Sequence, residues 1–146
     1  MVTRLPALEA AIVADINVVR AQHGLSRLHV SRPLRAAAEF HSDDMAQHGF
    51  FSHDSYDGTS FSQRLSQFYR PARGRRVGET LIWYDGSVGA ARTVHDWLSS
   101  APHRAILLAP EFREVGVAAV RATAASGVFN GPAMLVTADF GSHAPS

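Results

Sequence analysis

The sequence contains no cysteine. Disulfides, thiolate metal sites and thiol nucleophiles are therefore excluded. Stability has to come from packing, and 146 residues suffice, since a chain of that size buries about 68–70% of its unfolded surface. Lysine is absent too: all 14 basic residues are arginine, a bias expected of a GC-rich genome. They face 13 acidic residues, and a net charge of +1 gives no electrostatic footprint for nucleic acid. No apolar run approaches the roughly 18 residues that cross a membrane. The start, Met1 to Pro6, leads into a segment interrupted by Glu9 and Asp15, which is no export-signal core. Two expectations stay open, an intracellular chain or an exported domain written without its signal.

What is present is a foldable composition, 46% hydrophobic and 18% charged. Extended disorder, collagen and coiled coil are excluded, and with no repeat or linker one domain over 1–146 is expected. Leu5, Leu8, Ile12, Ile16 and Val19 share a helical face that Gly24 stops. Ser31 and Pro33 start a second helix whose stripe runs Leu34, Ala37, Ala38, His41, Met45, until Gly49. Thr59 or Ser60 caps a short helix through Phe68, Ser87 opens another containing Val94 and Leu98, and Pro102 begins a turn through Leu108. Val115 to Ala119 and Met134 to Phe140 read as strands around an Ala125–Gly127 turn, with a third strand over Gly78 to Tyr84. Helices first and strands late predict a layered α+β domain.

Eight histidines are a high count. His23 and His29 flank the Gly24 turn and read as solvent-facing, His95 as a packed or half-exposed helix residue, and His143 as part of a loose tail. His41 lies on an apolar stripe and reads as a hydrogen-bonded core residue. The competing idea, a metal face of His41, Asp44 and His48, requires His41 to point outward. His53 closes Phe50-Phe-Ser-His53, where two aromatics hold a loop and present the imidazole at its rim. His103 follows Ser100-Ala-Pro at a helix start. Glu79 enters an apolar strand and is either an edge residue or a buried carboxylate with a partner. A hydrolase reading would use Ser100, His103 and Asp96, but no Gly-x-Ser-x-Gly elbow supports it, and Ser100 is expected to cap the Pro102 turn. Four arginines between Arg70 and Arg76 read as a solvated loop or as an attraction for an anionic surface.

Five segments in order resemble the CAP superfamily of cysteine-rich secretory, antigen 5 and pathogenesis-related class 1 proteins, in its cysteine-free bacterial branch. They are Asn17-Val-Val-Arg20 with Gly24-Leu25; His41-Ser-Asp-Asp-Met45-Ala with Phe50-Phe-Ser-His53; Gly78-Glu79-Thr-Leu81; Trp97 to Leu107; and Phe112-Arg-Glu-Val115-Gly116-Val117. The likeness covers about residues 8 to 141. It implies a three-layer α-β-α sandwich around a mainly antiparallel sheet, and a cleft with two His and two Glu. Carried over by position, the metal-binding pair is His53 and His103, and the first Glu, the one catalytic candidate, is Glu79. Ser100 stands where the second Glu belongs, and Gly78-Glu79-Thr80 replaces the usual Gly-Glu-Asn.

The resemblance thus implies a secreted or cell-envelope binding module, monomeric, holding zinc or another divalent metal and a small apolar or lipid-like ligand, or meeting an anionic surface polymer. The alternative is a metal-assisted, peptidase-like hydrolase in the same cleft; a third reading is an interaction domain with a vestigial cleft. Two imidazoles and one carboxylate can hold zinc with a position open to water. With Glu79 as the only cleft carboxylate in this reading, paired acid–base work is not expected unless Asp54 or Asp96 enters the cleft.

Overall fold

A computed structural model describes residues 1–70 and 76–142. In chain order the elements are β1 (Val2–Arg4), α1 (Pro6–Gln22), β2 (His29–Val30), α2 (Arg32–His48), α3 (Phe61–Phe68), β3 (Val77–Tyr84), α4 (Ala90–Leu98), α5 (Ala101–Leu107), β4 (Phe112–Ala125) and β5 (Gly131–Ser142).

Local chemistry sets the boundaries of α2 and the start of α3. The Ser31 hydroxyl accepts the Leu34 N–H at 3.3 Å to start α2. Gly49 ends it at φ +68°, a left-handed position that suits glycine. Ser60 and Gln63 close a reciprocal capping box on α3. Two expectations need correcting. Gly89, not Ser87, precedes α4, and the Ser87 hydroxyl instead meets Arg121. Ser100 occupies the N-cap position of α5, yet its side chain makes no cap bond.

β4 and β5 form a long antiparallel hairpin, β3 adds antiparallel to β5, and β1 to β4; β2 pairs with β4 in parallel. Neither β1 nor β2 was expected, since three and two residues carry no readable alternation. On one face α1, α4 and α5 bury Ile12, Ile16, Val94, Trp97 and Leu107 against Val117, Val136 and Phe140. On the other, Met45 and Ala46 of α2 lie against Leu81, Val120 and Leu135, and Leu34 and Ala37 pack with Leu65 of α3. The result is the expected mixed α+β sandwich, helices over both faces of a mainly antiparallel sheet. Gly116 sets its spacing: a Cβ there would stand 2.1 Å from the Arg35 backbone nitrogen.

Arg20 is fully buried in α1. Its guanidinium donates to the carbonyls of Ser26 (2.9 Å), Leu107 (2.8 Å), Ala109 (3.0 Å) and Phe112 (3.2 Å). One side chain thereby joins α1 to the end of α5 and the start of β4, satisfying carbonyls that a helix end leaves open.

Candidate functional site

Glu79 of β3 lies directly opposite Asp139 of β5, and both are buried. Like charges in that position repel. The sequence answers with Arg64, brought in by the capped first turn of α3 and itself 1% exposed. One Arg64 nitrogen donates to Glu79 Oε2 at 2.7 Å and to the His53 carbonyl at 3.1 Å; the other reaches Asp139 Oδ2 at 3.4 Å. Burial opposes ionisation of Glu79. Hydrogen bonds from His53 and Asp139 and the Arg64 charge outweigh it and bring the carboxyl down to about 2. Asp139 goes the other way: burial first, then the facing Glu79 charge, push it well above the usual carboxylate range. The two facing carboxyls are thus pushed in opposite directions beside a single arginine.

The His53 side chain, 54% exposed, stands between Glu79 and solvent. Its Nδ1 lies 2.8 Å from Glu79 Oε1, and its ring meets Phe61 edge-on at 6.4 Å. A carboxylate oxygen only accepts, so His53 Nδ1–H is the donor in this pair. The loop carrying His53 is tied down by buried His41, which donates from Nε2 to the Ser52 carbonyl at 2.7 Å and packs edge-on with Phe50. Burial, reinforced by the Arg64 charge, keeps that imidazole neutral. His41 is therefore a core residue, and no metal face forms with Asp44 and His48. Those two pair with each other at 3.0 Å, Asp44 accepts the Tyr56 N–H, and His48 stacks on Tyr56.

His103 is half-buried in the first turn of α5. Burial first, then charge at His53, lowers its pKa, and His103 is not among the residues that line the cleft between the His53 loop and α5. Among the described residues no group of three His, Asp or Glu converges as a metal cluster.

A cleft of about 790 Å³ opens between the His53 loop and α5, with Val77 to Glu79 at its base. Phe61, Ile106 and Phe112 make its apolar lining, and Arg76, Arg104 and Glu111 its charged one. Arg76 pairs with Glu111 at 2.7 Å, and Arg104 lies 3.3 Å from His23 Nε2. Glu79 is thus not the only carboxylate in the lining: Glu111 joins it, while Asp54 and Asp96 do not line it. Asp96 accepts instead from Tyr84 (2.6 Å) and Arg92 (2.8 Å), so no Ser100–His103–Asp96 triad assembles. Arg70 and Arg76 are exposed, whereas Arg73 and Arg75 lie outside the described residues, as does His143. His23, His29 and His95 are exposed, as read for the first two.

Sequence reasoning missed Arg64 and Asp139. A faint signal existed for Asp139, a lone acid inside the apolar run Met134 to Phe140, which demands a partner once buried. Nothing local marked Arg64.

Residues 13–137 match the model of the cysteine-rich secretory protein family, CAP. The membrane protein YlbC of Bacillus subtilis, described as uncharacterized, is 32% identical over 109 residues, covering 75% of the chain but only 30% of that protein. Among solved structures, an extracellular protein with an SCP domain from Bacillus anthracis superposes with a TM-score of 0.73 at 25% identity, over 92% of this chain and 40% of that one. An outer surface protein of Borrelia burgdorferi shares the fold at TM-score 0.73 and 19% identity, over 98% and 99% of the two chains. The ordered motifs, the layered fold and the family match agree: this cysteine-free chain belongs to the CAP family.

Proposed function

We propose that the chain is an extracellular or envelope-associated binding module, whose cleft takes a small amphiphilic ligand and whose His53 and His103 hold a divalent metal, zinc in the first instance. The observation that supports it most is the His53–Glu79 pair, which holds a half-exposed imidazole in the lining of a cleft of ligand size. A carboxylate behind a histidine is the usual way of orienting a metal ligand. The apolar lining suits an acyl or other lipid-like body. Arg104, whose neighbour His23 is an imidazole rather than a carboxylate, favours an anionic end, from a lipid headgroup or a wall polymer. The Bacillus anthracis neighbour is an extracellular protein and the Borrelia one an outer surface protein, which supports an exported setting. When bound, the ion supplies a Lewis acid beside the cleft. Glu79 orients His53, and Arg64 bonds both Glu79 and the His53 carbonyl from inside the fold.

A second reading, a metal-assisted hydrolase in the same cleft, is favoured by that same dyad, because a histidine backed by a carboxylate is also a general base. Titration calorimetry with zinc decides the first reading. The wild type is expected to take up zinc, and the His53→Ala/His103→Ala variant to lose uptake with its melting temperature nearly unchanged. No uptake by the wild type removes the metal, and a large fall in melting temperature makes both histidines structural. Metal-dependent turnover of a peptide, ester or glycan library would promote the hydrolase.

A further inference from the structure

Glu79 is 3% exposed and engaged by His53 and Arg64, so the charged groups that a ligand meets in the cleft besides His53 are Arg76, Arg104 and Glu111. Arg104 is exposed and forms no ion pair among the described residues; its neighbour is the His23 imidazole. Arg76 and Glu111 satisfy each other at 2.7 Å, with side chains 73% and 32% exposed. A pair that open to water adds little to stability, because solvent screens it and two long side chains lose freedom in it. The backbones beneath it are fixed. Arg76, just ahead of β3, donates its N–H to the Ser142 hydroxyl at 3.2 Å, and its carbonyl accepts the Ser142 N–H at 3.1 Å. On the other side, the carbonyls of Ala109 and Phe112, to either side of Glu111, are held by buried Arg20. The pair can therefore open by side-chain rotation alone, with the walls of the cleft unmoved.

We propose that Arg76 and Arg104 form the headgroup site for a single-chain phosphate monoester, and that Glu111 is a built-in competitor whose carboxylate the phosphate displaces from Arg76. The inference rests on the binding-module reading and names its class of ligand. A phosphate monoester carries close to two negative charges at neutral pH, which match the two guanidinium groups once Arg76 is released. Its oxygens also fit the guanidinium fork two at a time. Glu111 gives up only an exposed contact and regains water. Phe61, Ile106 and Phe112 offer the chain its apolar wall. A cationic head would find Glu111 already paired and Arg104 against it, and a neutral head would leave the Arg76–Glu111 pair closed.

The test is titration calorimetry of the full chain without added metal, against decyl phosphate below its micelle concentration, decyl maltoside and inorganic phosphate. Decyl phosphate is expected to bind about tenfold tighter than either of the others. Glu111→Gln is expected to tighten decyl phosphate several-fold without moving decyl maltoside. Arg76→Gln is expected to weaken decyl phosphate about tenfold, the worth of one charged hydrogen bond. The gain from Glu111→Gln should vanish in Arg76→Gln/Glu111→Gln, since it comes from freeing Arg76. An equal gain in that background would make Glu111 a distant charge and overturn the exchange. Melting temperatures serve as the folding control and are expected to stay near wild type, because the pair faces solvent. Equal binding of decyl phosphate and decyl maltoside overturns the headgroup site and leaves the binding module standing. No binding of either removes the module as well. Inorganic phosphate as tight as decyl phosphate overturns the amphiphile.

Discussion

Asp139 makes folding a proton-binding event. In the folded chain burial and the Glu79 charge raise its pKa well above the ordinary carboxylate value of about 3.9. The protonated side chain therefore favours the fold below that value, and the contribution is lost as pH rises toward the folded pKa. In that window the folded state holds one more proton than the unfolded, so stability falls by about 1.4 kcal/mol per pH unit from this group. Glu79 has the reverse sign: its folded pKa of about 2 gives stability that is present above about 4.3 and lost as pH falls toward 2. Urea denaturation of Asp139→Asn at several pH values above 5 should show a shallower decline than the wild type, the gap widening in favour of asparagine as pH rises. Parallel profiles would mean that Asp139 is ionised in the fold.

At the scale of elements, α4 hangs on Trp97. Its ring is fully buried and its indole N–H donates to the Leu81 carbonyl of β3 at 3.1 Å, tying the helix to the edge strand at the cleft. Trp97→Ala should cost about 3–5 kcal/mol in chemical denaturation, and a loss below about 1 kcal/mol would contradict this packing. Helix positions were legible because their signals are local: the Ser31 cap, the Gly49 stop and the Ser60 box each act within a few residues. Ser87 misled because a capping residue type is common in loops, and here its hydroxyl found Arg121 instead. The site divides the same way. His53 and Glu79 stood out by their surroundings and by resemblance. The Arg64 role depends on which residue of β5 faces Glu79 and on where α3 docks, and both follow from register and packing between segments distant in sequence.

For the whole molecule, Gly116 governs how closely the α2 layer approaches the sheet. A methyl group there meets backbone rather than a side chain that could swing aside, so Gly116→Ala should exceed the roughly 1–3 kcal/mol usual for overpacking. A change within about 0.5 kcal/mol in denaturant unfolding would show that α2 can lift without loss. The same layers explain why the cleft has two unlike sides. Arg20 binds the trailing end of α5 to α1 and β4 through carbonyl contacts, so the α5 side of the cleft is braced from within. The facing loop is exposed from Phe51 to Asp54 and is moored by the His41 bond to Ser52, the His53 bond to Glu79 and the Arg64 bond to the His53 carbonyl. Any adjustment of aperture to ligands of different girth therefore falls to the His53 side, and the bore of the cleft is set from α1, a helix that contributes no residue to its lining.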